Sequence, residues 1–218
     1  MLTLDELQKF VSTETVSGDN GPRLKNLLAR RLVRAGRSTE ASAYFAKDYA
    51  ATLAEFTTVM KAGNDSTRPA VARGLSLARA ATLLRKSGMD LQGTELEPDY
   101  AYTGGSFPAY SSFLVTRSKA GGIAPPSDDE ISRAIIVPAT PNRRYHYRYQ
   151  AADLAWQAAQ LLPDNSLELA NLLVEAGGWI KARDPQAADR FYKALVARCP
   201  DTDAGREAKR LHWFPKSY

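Results

Sequence analysis

The residues best suited to chemistry are the alternating basic and aromatic side chains of the run Arg143–Tyr149. Arginines neutralise phosphates and aromatic rings stack on bases, so such a run can bind single-stranded nucleic acid. On a helix, however, Tyr145 and Tyr149 share one face, while Tyr147 shares another with Ala151. We therefore favour tyrosines at the edge of a core with arginines turned to solvent, and nucleic-acid binding remains an alternative.

Other groups that could support catalysis or bind a metal follow weaker patterns. His146 and His212 have no cysteine, histidine or carboxylate at the spacing of metal ligands. Cys199 continues an apolar stripe, which is typical of a small buried residue rather than a nucleophile. The segment Thr103–Ser106 (TGGS) lacks the lysine of a phosphate-binding loop. We predict no catalytic residue, no metal site and no cofactor.

Helix-capping signals indicate where the elements that carry these residues begin. We expect N-terminal caps at Thr3, Ser127 and Asn165, each with a glutamate three residues later, and at Asp184, which precedes a proline. Apolar residues then recur at helical spacing after each of these caps.

Glycine and proline indicate where helices end. Gly36 is expected to end one helix, and no breaker interrupts the apolar pattern from Ser38 to Gly63, which predicts one long helix. The next helix opens at Pro69, carries Val71, Leu75, Ala78 and Leu84 as its apolar stripe, and is expected to stop at Gly88.

The segment 89–140 breaks the helical pattern with a high density of glycine and proline. It contains three Lys and Arg against seven Asp and Glu, although the whole chain carries a formal charge of +5. We expect an irregular acidic insertion on a basic helical scaffold. The stretch Leu91–Tyr102 would dock onto the helices, or the same surface would receive an acidic peptide from a partner.

Two segments place small and large residues as the tetratricopeptide repeat does. In Leu27–Phe45 these are Ala29, Leu32, Gly36, Ala41 and Phe45; in Leu172–Pro200 they are Ala176, Trp179, Ala188, Tyr192 and the closing proline. About half of the chain resembles this repeat, a helix-turn-helix unit of about 34 residues. The resemblance implies stacked helix pairs, although alanine replaces the glycine of the first helix in both segments.

The predicted fold class is therefore all-α. We expect antiparallel helix hairpins stacked as a short, tetratricopeptide-like α-solenoid with one long irregular insertion. The predicted segments are N-terminal hairpins at 1–88, the insertion at 89–140, and C-terminal repeat-like helices with a terminal capping helix at 141–218. A helical bundle without repeats is the competing interpretation.

Composition limits the class of protein. With 218 residues, 44% of them hydrophobic, the chain has ample material for a core. A single cysteine excludes an internal disulfide. No signal peptide and no membrane span are visible, so we expect a cytoplasmic protein, or a secreted or periplasmic one if the chain belongs to a longer protein.

The predicted function is a non-enzymatic scaffold that binds a protein or peptide through a groove or through the insertion. An enzyme or ligand-binding protein with a pocket between insertion and helices is the alternative from another class. Aromatic and arginine side chains dominate protein interfaces. The predicted contact residues are Tyr100, Tyr102, Phe107, Arg143, Arg144, Tyr147 and Arg148.

Overall fold

The structure, a computed structural model, describes residues 2–13, 20–94, 126–137, 140–141 and 145–215. Every regular element in these ranges is an α-helix, as predicted, and the helices pack against each other. In chain order they are α1 Leu4–Thr13, α2 Asn20–Arg34, α3 Ser38–Ala41, α4 Lys47–Asn64, α5 Ala70–Gln92, α6 Asp128–Ile136, α7 His146–Ala159, α8 Leu167–Ile180, α9 Pro185–Arg198 and α10 Asp203–Leu211.

Three of the four predicted N-terminal caps are confirmed. The backbone N–H of Thr3 donates to Glu6 at 2.7 Å while the Thr3 hydroxyl accepts from the Glu6 N–H at 3.2 Å. The bond from the Thr3 N–H is the main cause of a lowered pKa of Glu6, and the Thr3 side chain lowers it further. Ser127 and Glu130 form a second capping box, and Asp184 caps α9 with Pro185 in its first turn.

The cap predicted at Asn165 is wrong by one residue. The hydroxyl of Ser166 accepts from the N–H of Leu169 at 3.2 Å and so caps α8. Asn165 instead has a φ of 58°, a left-handed conformation that asparagine tolerates well. Its side chain donates to the Asp201 carboxylate at 2.8 Å and accepts from the Asp201 N–H at 3.0 Å.

The single long helix predicted from Ser38 to Gly63 is also wrong, because the chain turns after Ala41. The N–H of Ala43 donates to the carbonyl of Glu40, and that of Tyr44 to Ala41. These tighter bonds span three residues and end α3 after one turn. The preceding break is as predicted: α2 ends at Arg34, and Gly36 has a φ of 77°.

The chain divides into two compact units, each assembled from two stretches of sequence: residues 1–51 with 89–146, and residues 52–88 with 147–218. The predicted segments 1–88, 89–140 and 141–218 divide the chain along its length. Most of the predicted insertion lies outside the described residues, so that division stays a prediction.

In the first unit, α2 packs against α1 and α3. Its buried apolar side chains include Leu7, Val11, Leu28, Leu32, Ala41 and Leu91. Two arginines of α2 satisfy the carbonyls at the end of α5. Arg30 donates to Met89 at 3.2 Å, and Arg34 donates to Gln92 and Gly93 at 3.2 and 2.7 Å. A cation is favourable at this negative end of a helix.

In the second unit, the buried face of α7 consists largely of alanine: Ala151, Ala152, Ala155, Ala158 and Ala159 have exposures of 1% or less. These small side chains face a core that also holds Leu77, Leu173, Phe191 and Leu195. Small residues allow neighbouring helices to approach closely, so α7 can sit between several helices of this unit.

Glycines on α5 make the closest approach to α7. A Cβ atom added at Gly88 would lie 2.7 Å from the Cβ and Cδ2 of Tyr147, and one added at Gly74 would lie 3.2 Å from the carbonyl oxygen of Ala158. These two contacts show that α5 and α7 run in opposite directions. The predicted helix stop at Gly88 is therefore wrong: α5 continues to Gln92, and Gly88 provides room for a tyrosine.

The end of α7 is held by an arginine from α9. Arg198 donates to the carbonyl of Ala159 at 2.7 Å and to that of Leu162 at 2.9 Å, while its Nε donates to the Asp164 carboxylate at 2.7 Å. The last-turn carbonyls of α7 have no partner within the helix itself, so the side chain of Arg198 supplies several of the missing hydrogen bonds.

Aromatic residues that follow α10 pack back onto α8. The ring of Phe214 contacts the place where Gly177 lacks a side chain, and only 5% of Phe214 is exposed. Tyr192 of α9 lies 5.5 Å from the ring of Trp213 and 6.1 Å from that of Phe214. These ring contacts attach the residues that follow α10 to the pair α8 and α9.

Gly88→Ala should destabilise the protein, because the new methyl group meets the rigid Cβ of Tyr147. We expect a net loss of about 1–2 kcal/mol, since overpacking outweighs the gain in helix propensity. Urea denaturation would measure it. Gly178→Ala is the control: no heavy atom lies within 4 Å of its new Cβ, so it should raise stability by up to about 1 kcal/mol. Equal effects of the two substitutions would contradict the close contact.

Candidate interaction surface on α5 and α7

Two of the seven predicted contact residues, Tyr147 and Arg148, lie in the described part of the chain, on α7 in the second unit. Tyr147 is 3% exposed and packs at Gly88, whereas Arg148 is half-buried. The other five predicted contacts lie outside the described residues: Tyr100, Tyr102, Phe107, Arg143 and Arg144.

The basic and aromatic run places its rings inside the protein. Tyr145, His146 and Tyr147 are all less than 9% exposed, and Tyr149 is half-buried. A base can stack only on a ring face that solvent reaches. The described part of the run therefore fits the interpretation of these tyrosines as packing residues.

Arg85 on α5 faces the same part of α7. Given the contacts of Gly74 with Ala158 and of Gly88 with Tyr147, the antiparallel register places Arg85 level with the first turn of α7. Burial lowers the pKa of Arg85, the positive charge of Arg148 lowers it further, and Tyr147 acts in the opposite direction. Two like charges thus approach each other at this place in the second unit.

The outer face of α5 carries a stripe of residues at spacings of four and then seven. Val71 and Leu75 are exposed by 46% and 45%, and the exposed residues Arg79 and Lys86 continue the line. Arg79 forms an ion pair with Glu55 of α4 at 2.6 Å. The stripe is therefore apolar at the start of α5 and basic toward its end.

Sequence reasoning did not single out this surface, because it grouped Val71 and Leu75 with Ala78 and Leu84 as apolar residues along one helix. In the structure α5 has two apolar stripes, and the buried one includes Leu77, Ala81 and Leu84. The signal that separates them is the heptad spacing of Gly74, Ala81 and Gly88, which marks the face where another helix comes close.

Arg23, Arg30, Arg34 and Arg37 recur at helical spacing along α2 and just beyond its end, a pattern that could form a basic strip. Arg30 and Arg34 bind carbonyls inside the first unit instead. Arg37 binds Glu40 at 2.6 Å and Gln8 at 2.9 Å, and its pairing with Glu40 is the main reason that its pKa is raised. Arg23 remains exposed, so a continuous strip facing anions is not present among these four.

The groups considered for catalysis lie apart or outside the described residues. His146 is buried and His212 exposed. Cys199 is fully buried, and burial raises the pKa of its thiol, as expected of a small packing residue. Across the described ranges, no three His, Cys, Asp or Glu side chains cluster to hold a metal. Thr103–Ser106 and the acidic residues Glu95–Asp99 lie outside those ranges.

The residues that carry the repeat resemblance show two different local structures. In the second segment, Ala176 and Ala188 are fully buried on α8 and α9, and Trp179 and Tyr192 are half-buried beside them. In the first segment Ala29, Leu32 and Ala41 are also fully buried. There, however, α3 ends after four residues, so Phe45 lies beyond the helix.

Comparison with known proteins gave no match among family models, curated proteins or solved structures. The described helices include none with both the length and the apolar character needed to cross a bilayer.

Arg85→Met should leave the protein at least as stable as the unchanged chain. It removes a half-buried charge that lies beside Arg148 and keeps the apolar stem. Relief of a like-charge contact is worth about 0.5 kcal/mol, and urea denaturation at low salt would detect it. Arg79→Met breaks an exposed ion pair and should lower stability by at most about 1 kcal/mol. A clear loss of stability for Arg85→Met would contradict this description.

Proposed function

We propose that the chain is a non-enzymatic scaffold that binds a protein or peptide partner, built as a short tetratricopeptide-like α-solenoid. The antiparallel contact of α5 with α7 and the adjacent pair α8 and α9, which pack along each other, support stacked helix pairs. Such stacks present long helical faces, and those faces commonly take up peptides or helices.

The observation that carries this proposal is the exposed apolar pair Val71 and Leu75 on α5. Residues four apart lie next to each other on a helix, so the two side chains form one apolar patch. The neighbouring Gly74 faces inward against Ala158, which fixes the direction in which the patch points. Burial of two aliphatic side chains by a partner contributes about 1.5–3 kcal/mol each at most.

Nucleic-acid binding through Arg143–Tyr149 is the weaker alternative, because Tyr145 and Tyr147 are buried. The two alternatives also respond differently to salt. Binding to phosphates weakens steeply as salt rises, whereas docking on Val71 and Leu75 should change little. We also propose a cytoplasmic location, with which the single buried Cys199 is compatible; cell fractionation would check it.

Replacing both Val71 and Leu75 with serine should abolish partner binding without unfolding the protein, because both side chains are already exposed. The measurement is quantitative co-purification of the full chain from its native cells, with the recovered proteins compared between variants. Proteins recovered with the unchanged chain should fall at least about tenfold with the double variant, as expected for the loss of about 1.4 kcal/mol or more.

Leu167→Ser is the matched control. Leu167 is 69% exposed at the start of α8 in the same unit, so this substitution removes an exposed aliphatic side chain elsewhere. Partners should be retained with this variant. If the double variant and the control recover the same proteins in equal amounts, α5 is not the binding face and the proposal is wrong.

A further inference from the structure

One solvent-facing side of α6, in the first unit, is acidic at its start and apolar at its end. Asp128 and Asp129 are exposed, and Ile135 and Ile136 are exposed by 62% and 72%. Each isoleucine follows one of the aspartates by seven residues, which is about two helical turns, so the four side chains lie along one side of the helix. We call these four residues the α6 stripe.

The contacts that hold α6 in the first unit leave this stripe open. The capping box of Ser127 and Glu130 satisfies its first turn, and Arg133 forms an ion pair with Glu6 of α1 at 3.6 Å. None of these side chains belongs to the α6 stripe. A helix that is already ordered loses less conformational freedom on binding than a disordered segment does. The stripe is therefore suited to docking on the face of another helix.

The outer face of α5, in the second unit, also has an apolar part and a charged part. Val71 and Leu75 form its apolar start, and Arg79 and Lys86 form its basic end. Arg79 shares its charge with Glu55 at 2.6 Å. At 100° per residue, these four residues lie about 120° around the helix from the glycines that contact α7. The outer face of α5 is therefore open to a partner and opposite in charge to the α6 stripe.

We propose that α6 of a second copy of this chain docks antiparallel on the outer face of α5. The inference rests on the proposed function, because it names the occupant of the face that carries Val71 and Leu75. In this orientation the two isoleucines cover the apolar start of α5, and the two aspartates lie beside its basic end. Such pairing of unlike charges favours one orientation of the two helices over the other.

The spacing along the two helices agrees with this orientation. Asp128 precedes Ile135 by seven residues, or about 10 Å along the helix axis. On α5, the residue seven positions after Leu75 is Thr82, which lies about one turn from each of the two basic residues. When Ile135 lies opposite Leu75, the Asp128 carboxylate therefore lies between two positive side chains.

A parallel orientation is less favourable. It would place Asp128 seven residues before Leu75, at Arg68 in the turn that precedes α5. The N–H of Arg68 donates to the carbonyl of Asp65 at 3.1 Å within this turn. The aspartates of α6 would therefore meet charges of both signs there, whereas the antiparallel orientation gives them positive charges on both sides.

Sedimentation equilibrium of the full chain tests the association. A contact this small is typical of weak complexes, so the concentration should extend from about 1 μM to about 1 mM. The average mass of the unchanged chain should rise with concentration above that of one copy. Serine at both Val71 and Leu75, or at both Ile135 and Ile136, should raise the dissociation constant at least about tenfold. Leu167→Ser, the exposed control on α8, should leave it unchanged.

A mixture of the two double variants tests whether α6 of one copy meets α5 of the other. Each variant keeps the face that the other has lost, so one intact contact can form between them. With one variant fluorescently labelled, sedimentation velocity should detect a complex in the mixture, although each variant alone sediments as a single copy. If the unchanged chain associates but the mixture gives no complex, the contact between α6 and α5 is wrong.

Reversal of one charge tests the orientation. Lys86→Glu should weaken the association about threefold at low salt, because it replaces an attraction to the aspartates with a repulsion between exposed groups. Arg68→Glu is the matched control: it reverses an exposed charge just before the start of α5 and should leave the dissociation constant unchanged. An effect of Arg68→Glu equal to or larger than that of Lys86→Glu overturns the antiparallel arrangement.

Failure of this inference is distinguishable from failure of the proposed function. A mass that stays at one copy up to the highest concentration overturns the docking of a second copy. If serine at Val71 and Leu75 still removes the proteins recovered from native cells, the proposed function stands and the face has another occupant. If those proteins are recovered unchanged as well, both the inference and the proposed function are wrong.

Discussion

Close approach of α5 to α7 is the constraint on which the second unit depends. Glycine at positions 74 and 88 removes the side chains that would hold the helices apart, and the alanine face of α7 does the same from the other side. Helices at short range exchange many dispersion contacts, although each is weak. This approach buries Tyr147 and brings Arg85 level with Arg148, so the packing of the unit and the charge arrangement of its surface have one cause.

Arginine supplies the polar counterpart of this apolar packing in both units. Arg34 binds carbonyls at the end of α5, and Arg198 binds carbonyls at the end of α7. A helix end buried against neighbours loses water as a partner for its last carbonyls. A long side chain with five donors can replace that water from another helix. Arg30, Arg34 and Arg198 therefore serve to satisfy the ends of helices.

The separation in sequence between a residue and the contact that decides its role explains which features could be predicted from the sequence. Caps at Thr3, Ser127 and Asp184 depend on partners three residues away, so a local pattern identifies them. Gly88 is ambiguous at that range, because a glycine can end a helix or admit a neighbour, and Tyr147 decides between the two from 59 residues away. Periodicity is also a local signal, and it revealed an apolar stripe through Val71 and Leu75. The face of α5 that contacts α7 is the other stripe, where Gly74 and Gly88 lie.

Net charge alone is a poor guide to the binding surface of this protein. Arg37 and Arg198 are engaged with carboxylates and backbone oxygens, and their charge is compensated where they lie. Arg85 differs from these two, because burial and the positive charge of Arg148 lower its pKa, and Tyr147 acts in the opposite direction. A fold that tolerates such a contact gives up some stability there. The surroundings of each arginine, more than the overall excess of basic residues, therefore decide what its charge does in this protein.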